Sequence, residues 1–144
     1  MYCPNSTAFL GCGTVFSLDP TTGTETVLYS FCNQTICTDG LQPDGSLIDV
    51  KGRLYGTTQQ GGSNANCRYG GEGGCGTVFV IDLGTRKETV LYSFCSQANC
   101  ADGQFPLANL IAVNGALYGT TELGGPNCEG TGECGGTVFA ITNP

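Results

Sequence analysis

The chain of 144 residues carries ten cysteines, 24 glycines, no histidine and no tryptophan, and 12 acidic against five basic residues leave a formal charge of −7. No basic patch is available to neutralise phosphate, which argues against nucleic acid and anionic membranes as partners. Lack of histidine removes Ser-His-Asp and Cys-His catalysis and the commonest transition-metal ligand, and no apolar run approaches the roughly 20 residues that span a bilayer. The expectation is a chain with no catalytic residue, no metal, no cofactor and no membrane insertion.

Residues 1–11 form a lead-in that contains Cys3 and the sequon Asn5-Ser6-Thr7. Its Met1-Tyr2-Cys3-Pro4 start has no basic segment followed by an apolar stretch, so an export signal has been removed or the chain is a piece of a longer precursor. The first strand is expected over Thr14 to Asp19, closed by a Pro20-Thr21-Thr22-Gly23 turn that returns the chain into Glu25 to Phe31. In that second segment Val27, Tyr29 and Phe31 alternate with Thr26, Leu28 and Ser30, the period of two that a strand shows. A loop follows with Cys32, Cys37, a second sequon at Asn33-Gln34-Thr35 and the turn dipeptide Asp39-Gly40. Leu47 to Val50 and Arg53 to Thr58 then flank Lys51-Gly52, a tight hairpin signal that returns as Asn114-Gly115. The glycine-rich run at 70–74 is followed by neither Lys-Ser/Thr nor a helix, so it is a connection and no phosphate loop.

Beyond this point the chain repeats itself. Gly-Cys-Gly-Thr-Val-Phe at 11–16 recurs at 74–79, Glu-Thr-Val-Leu-Tyr-Ser-Phe-Cys at 25–32 recurs unchanged at 88–95, and Leu-Tyr-Gly-Thr-Thr at 54–58 recurs at 117–121. The first two copies are offset by 63 residues, and Gly-Gly-Thr-Val-Phe at 135–139 opens a third after a further 60. This divides the chain into residues 12–74, 75–133 and a truncated copy at 134–144. Four strands in a unit of this size suit a propeller blade. The fold class expected is therefore all-β: two tandem four-stranded antiparallel blade-like repeats plus one extra C-terminal strand. Two blades cannot close a ring, and the open edges invite pairing. The surplus strand, with Thr137, Val138, Phe139, Ala140 and Ile141, becomes the candidate assembly strand, folded on its own chain or donated to a neighbour.

The succession Gly-Thr-Val-Phe, Thr-Val-Leu-Tyr-Ser-Phe, Asp-Gly and Leu-Tyr-Gly-Thr-Thr before Gly-Gly resembles the GloVer repeat of the choice-of-anchor tandem repeat proteins over nearly all of residues 11–142. The resemblance implies a propeller-like, exported or surface-anchored protein without an established catalytic role. The chain departs from that pattern in having few repeats and in its added loop cysteines.

An even, high cysteine content points to an oxidising compartment, outside the cell or at its surface. Equivalent positions in the copies suggest five local bridges, Cys3–Cys12, Cys32–Cys37, Cys67–Cys75, Cys95–Cys100 and Cys128–Cys134, with bridges between subunits as the alternative. Asn5 and Asn33 are candidate glycosylation sites. Asp19, Asp39, Asp44, Asp49, Asp82 and Asp102 offer oxygens to calcium, but their spacing matches no calcium loop and the Asp-Gly pairs read equally as turns. Tyr29, Tyr55, Tyr92 and Tyr118 recur with the repeat and suit packing, whereas Tyr2 and Tyr69 lie outside the repeated strands as candidates for exposed contacts. The function expected is an exported structural protein that self-associates through strand edges into an extracellular filament or surface array. A glycan-binding propeller-like module is the alternative.

Overall fold

A computed structural model describes residues 11–64, 67, 74–126, 135–142 and 144. Among these, nine strands form: β1 (Thr14–Leu18), β2 (Glu25–Ser30), β3 (Ile48–Val50), β4 (Arg53–Thr58), β5 (Thr77–Asp82), β6 (Glu88–Ser93), β7 (Ile111–Val113), β8 (Ala116–Thr120) and β9 (Val138–Thr142). Among the described residues helix is limited to two single 3₁₀ turns, Thr35–Cys37 and Ala98–Cys100. The strands lie where alternation of β-branched and aromatic residues places them, to within a residue at each end. The hairpin turns are also those expected: Lys51 and Gly52 take φ of 56° and 79°, and Asn114 and Gly115 take 52° and 80°, the positive values that a two-residue hairpin requires.

Every strand pairing is antiparallel, in sheets ordered β1-β2, β3-β4-β5-β6 and β7-β8-β9. The sheets run two strands out of phase with the sequence copies. The middle sheet takes β3 and β4 from the first copy and β5 and β6 from the second. Its central seam, β4 on β5, pairs all six residues of β4 from Arg53↔Asp82 to Thr58↔Thr77. At the end of that seam the Thr58 and Thr77 hydroxyls bond at 2.8 Å, and Gly61 bridges Cys75 in parallel. The same closure recurs one copy later, with Thr121 and Thr137 at 2.9 Å and a parallel bridge between Gly124 and Gly135. Gly56 and Gly119 sit opposite Phe79 and Phe139 in these seams, and a Cβ at either glycine would overlap the aromatic ring.

The three sheets stack face to face. Phe79 and Ile81 of β5, with Leu54, pack on Val15, Leu28, Tyr29 and Phe31 of the first sheet. Tyr55, Val78 and Val80, on the opposite face, pack on Leu117, Phe139 and Ile141 of the third. An edge-to-face aromatic pair marks each junction, Phe31–Phe79 at 4.9 Å and Phe94–Phe139 at 5.0 Å between ring centroids. Backbone bonds bridge the sheets as well: Gln42 donates to the Cys12 carbonyl and receives from Gln59, and Phe105 does the same between Cys75 and Glu122. The first strands of the second and third sheets, β3 and β7, approach one another, and Ser46 donates its amide to Asn109 Oδ1 at 2.7 Å. The arrangement is a series of blade-like antiparallel sheets packed one on the next.

Candidate assembly surfaces

Two loops carry the repeated polar chemistry. In the first, the bridge Cys32–Cys37 (Cα–Cα 4.0 Å) closes the chain around a carboxylate, Asp39, that is fully buried. Asp39 accepts from the Tyr29 hydroxyl at 2.8 Å and from the amides of Asn33 and Gln34 at 2.9 and 3.3 Å. One repeat on, the bridge Cys95–Cys100, also 4.0 Å between Cα atoms, encloses the same arrangement. There Asp102 accepts from the Tyr92 hydroxyl, the Ser96 hydroxyl and amide, and the Gln97 amide, at 2.8 to 3.1 Å. Hydrogen bonds to an ionised carboxylate are the strong kind. They anchor each loop to the strand before it and occupy the oxygens that a cation would need. Burial raises the Asp102 carboxyl, but the Tyr92, Ser96 and Gln97 donors outweigh it and hold the group below the usual carboxylate range. Burial, and then the neighbouring Asp39, push the Tyr29 hydroxyl upward.

Between the first two sheets lies a second, unplanned-looking carboxyl. Glu88 is 8% exposed, although Glu25, in the identical strand sequence of the first copy, is exposed. Burial first, and the charge of Asp39 second, raise Glu88 to about 7. By contrast, Asp19 and Asp82 are turn residues: the amide of Thr21 in one case and of Thr85 in the other holds the carboxyl below its ordinary value.

The third described bridge, Cys67–Cys75, spans 5.3 Å between Cα atoms. It brings Cys75 sulfur against the next loop, so that Cys75, Cys95 and Cys100 sulfurs lie within 4.8 Å of one another. All three are engaged in disulfides and so offer no thiolate to a metal. These three bridges are among the five that equivalent positions suggested. Cys12 is buried and disulfide-bonded, while Cys3, Cys128 and Cys134 lie outside the described residues, as do Asn5, Tyr2 and Tyr69. Asn33 is exposed on the stapled loop. Of the repeated tyrosines, Tyr55 is buried, Tyr29 and Tyr92 are tied to Asp39 and Asp102, and Tyr118 is 37% exposed.

The end sheets differ from the middle one in what they lack. Among the described residues, β1 has β2 on one side and no strand in the place that β4 takes beside β5. The candidate assembly strand, β9, pairs with β8 of its own chain from Ala116↔Thr142 to Thr120↔Val138, so Val138, Phe139, Ala140 and Ile141 are already bonded on that side and Thr137 closes the seam. Its other edge, which in the middle sheet holds β6, borders a groove of about 510 Å³ lined by Tyr92, Phe94, Asp102, Thr137, Phe139 and Ile141. Sequence reasoning did not foresee the role of Glu88 or of the Asp39 and Asp102 anchors. The anchors had a readable signal, a tyrosine ten residues before an Asp-Gly in both copies. Glu88 had none, because its strand sequence duplicates that of Glu25.

Among the described residues no helix is long and apolar enough to cross a membrane. The model of the Gloeobacter/Verrucomicrobia repeat matches residues 5–144, and the chain belongs to that family. No curated protein matches it.

Proposed function

We propose that this member of the Gloeobacter/Verrucomicrobia repeat family is an exported structural module that self-associates through its incomplete end sheets into an extracellular filament or surface array. One observation carries the reading: among the described residues, equivalent strands form a four-stranded sheet in the middle but sheets of two and three strands on either side, in which β1 and β9 each have one edge without a partner strand. Open edges bind other strands. The disulfide bridges support an oxidising compartment, and the exposed Asn33 is available there for glycosylation.

Light scattering on purified protein across a concentration series, followed by electron microscopy, tests the proposal. Growth in mean mass with concentration, and rings or fibres in micrographs, are expected. A chain that stays monomeric at high concentration would sink it.

A further inference from the structure

The repeat puts the same side chains in three settings, and among the described residues only the middle sheet packs against another sheet on both faces. Phe79 and Ile81 are each fully buried against the first sheet, whereas their counterparts in that sheet, Phe16 and Leu18, are 54% and 57% exposed. Val27, cross-strand from Phe16, is exposed with them. At the other end the contrast is reversed in position but alike in kind. Val78 is fully buried and Tyr55 nearly so against the third sheet, whereas Val138 is 78% and Tyr118 37% exposed. Ile111 and Val113 lie on the same outer face through the pairs Ile111↔Tyr118 and Val113↔Ala116, and both are exposed.

We propose that the outer face of the β7-β8-β9 sheet docks on the outer face of the β1-β2 sheet of a second copy of this chain, head to tail, in the manner in which the sheets already stack within one molecule. The inference rests on the self-association reading and deepens it by assigning the contact to sheet faces rather than to strand edges. The occupant follows from the repeat. Val138 and Tyr118 are the residues that, as Val78 and Tyr55, receive a following sheet; Phe16 and Leu18 are the residues that, as Phe79 and Ile81, are received by a preceding one. A face built on the same positions as an internal junction fits a partner built on the same positions as the other side of that junction. The exposed apolar side chains also supply the driving force, since burying such surface is favourable and contiguous apolar patches mark interaction sites.

Two features set the geometry. Docking of faces leaves the β8–β9 pairing intact, whereas pairing a second copy's β1 to β8 would require β9 to leave. The two faces are also different surfaces, so the contact is heterologous and repeats from copy to copy, giving a ring or a fibre according to its rotation. The third sheet's outer face, read from its register, runs through Ile111, Val113, Tyr118, Val138 and Ala140 without a charge; the first sheet's face holds Glu25 opposite Leu18. With a net charge of −7, added salt is expected to strengthen association by screening repulsion between copies.

The test uses two substitutions on exposed positions, Phe16→Glu and Val138→Glu, in the full chain, with Leu18→Glu and Tyr118→Glu as second choices should either melt early. Analytical ultracentrifugation is expected to show large assemblies for the unsubstituted chain and at least tenfold weaker association for each variant alone. An equimolar mixture of Phe16→Glu and Val138→Glu is expected to form heterodimers and nothing larger, because each contributes one intact face. If folded variants assemble as the unsubstituted chain does, the face contact is overturned while self-association stands, carried by edges. Should Val138→Glu dimerise with itself while Phe16→Glu does not, a symmetric contact replaces the head-to-tail one. An unsubstituted chain that never associates overturns both readings.

Discussion

The middle sheet and the two end sheets are made of nearly the same strands, yet they differ in what those strands bury. Phe79 and Phe16 occur in the same Gly-Thr-Val-Phe motif, one fully buried and the other 54% exposed. The strand Glu-Thr-Val-Leu-Tyr-Ser occurs twice, and its first residue is exposed as Glu25 and buried as Glu88. Identical local sequence thus produces identical local structure without producing an identical environment. What differs is the presence of a neighbouring sheet.

The largest expected effect separates the two phenylalanines. Phe79→Ala should cost about 3–5 kcal/mol in urea unfolding, as large-to-small changes in a packed core do, while Phe16→Ala, measured on dispersed protein, should cost less than about 1 kcal/mol. Equal losses would mean that the first sheet is covered in solution. Asp39→Ala comes next: it leaves the Tyr29 hydroxyl and two loop amides without their acceptor, and a cost of about 2–3 kcal/mol is expected. Amide exchange at Asn33 and Gln34 should accelerate together with that loss, and protection unchanged there would refute the anchoring role.

Glu88 sharpens the comparison through pH. Its carboxyl is raised to about 7 in the folded chain, so folding favours the protonated form. The stability it permits is fully present below its unfolded value, near the ordinary range for glutamate, and is lost as pH rises through about 7. Glu88→Gln should remove that decline, raising stability at pH 8 relative to the parent by on the order of 2 kcal/mol with little change at pH 4. A parent profile that is flat between these values would contradict the placement of Glu88 against Asp39. The smallest effect belongs to Arg53, whose Nε lies 3.9 Å from Asp82 with both side chains well exposed. Arg53→Ala should change stability by less than about 0.5 kcal/mol, and the equivalent pair in the third sheet, Ala116 with Thr142, manages without an ion pair.

Much of the architecture was legible in the chain because it depends on neighbours in sequence. Alternation at residues 26–31 marks β2, Lys51-Gly52 and Asn114-Gly115 mark hairpins, and cysteines at matched positions mark the bridges Cys32–Cys37, Cys67–Cys75 and Cys95–Cys100. The same repeat that made the strands readable concealed their grouping. A periodic sequence defines its unit only up to where the count begins, so a division at residues 74 and 75 looks as natural as any other. The grouping depends on β4 pairing with β5 across residues 59–76, a contact between segments distant along the chain.

The amino-acid sequence by itself determined the all-β character, the nine strands, the turns and the membership in a repeat family, because each rests on local alternation, backbone preference or motif. Only the tertiary structure decided which strands share a sheet, why Asp39 is an anchor, why Glu88 and not Glu25 is buried, and which faces of the end sheets are left open. Those outcomes arise from hydrogen bonding and desolvation between segments far apart in the chain, and a repeated sequence carries no mark of which copy will have a neighbour.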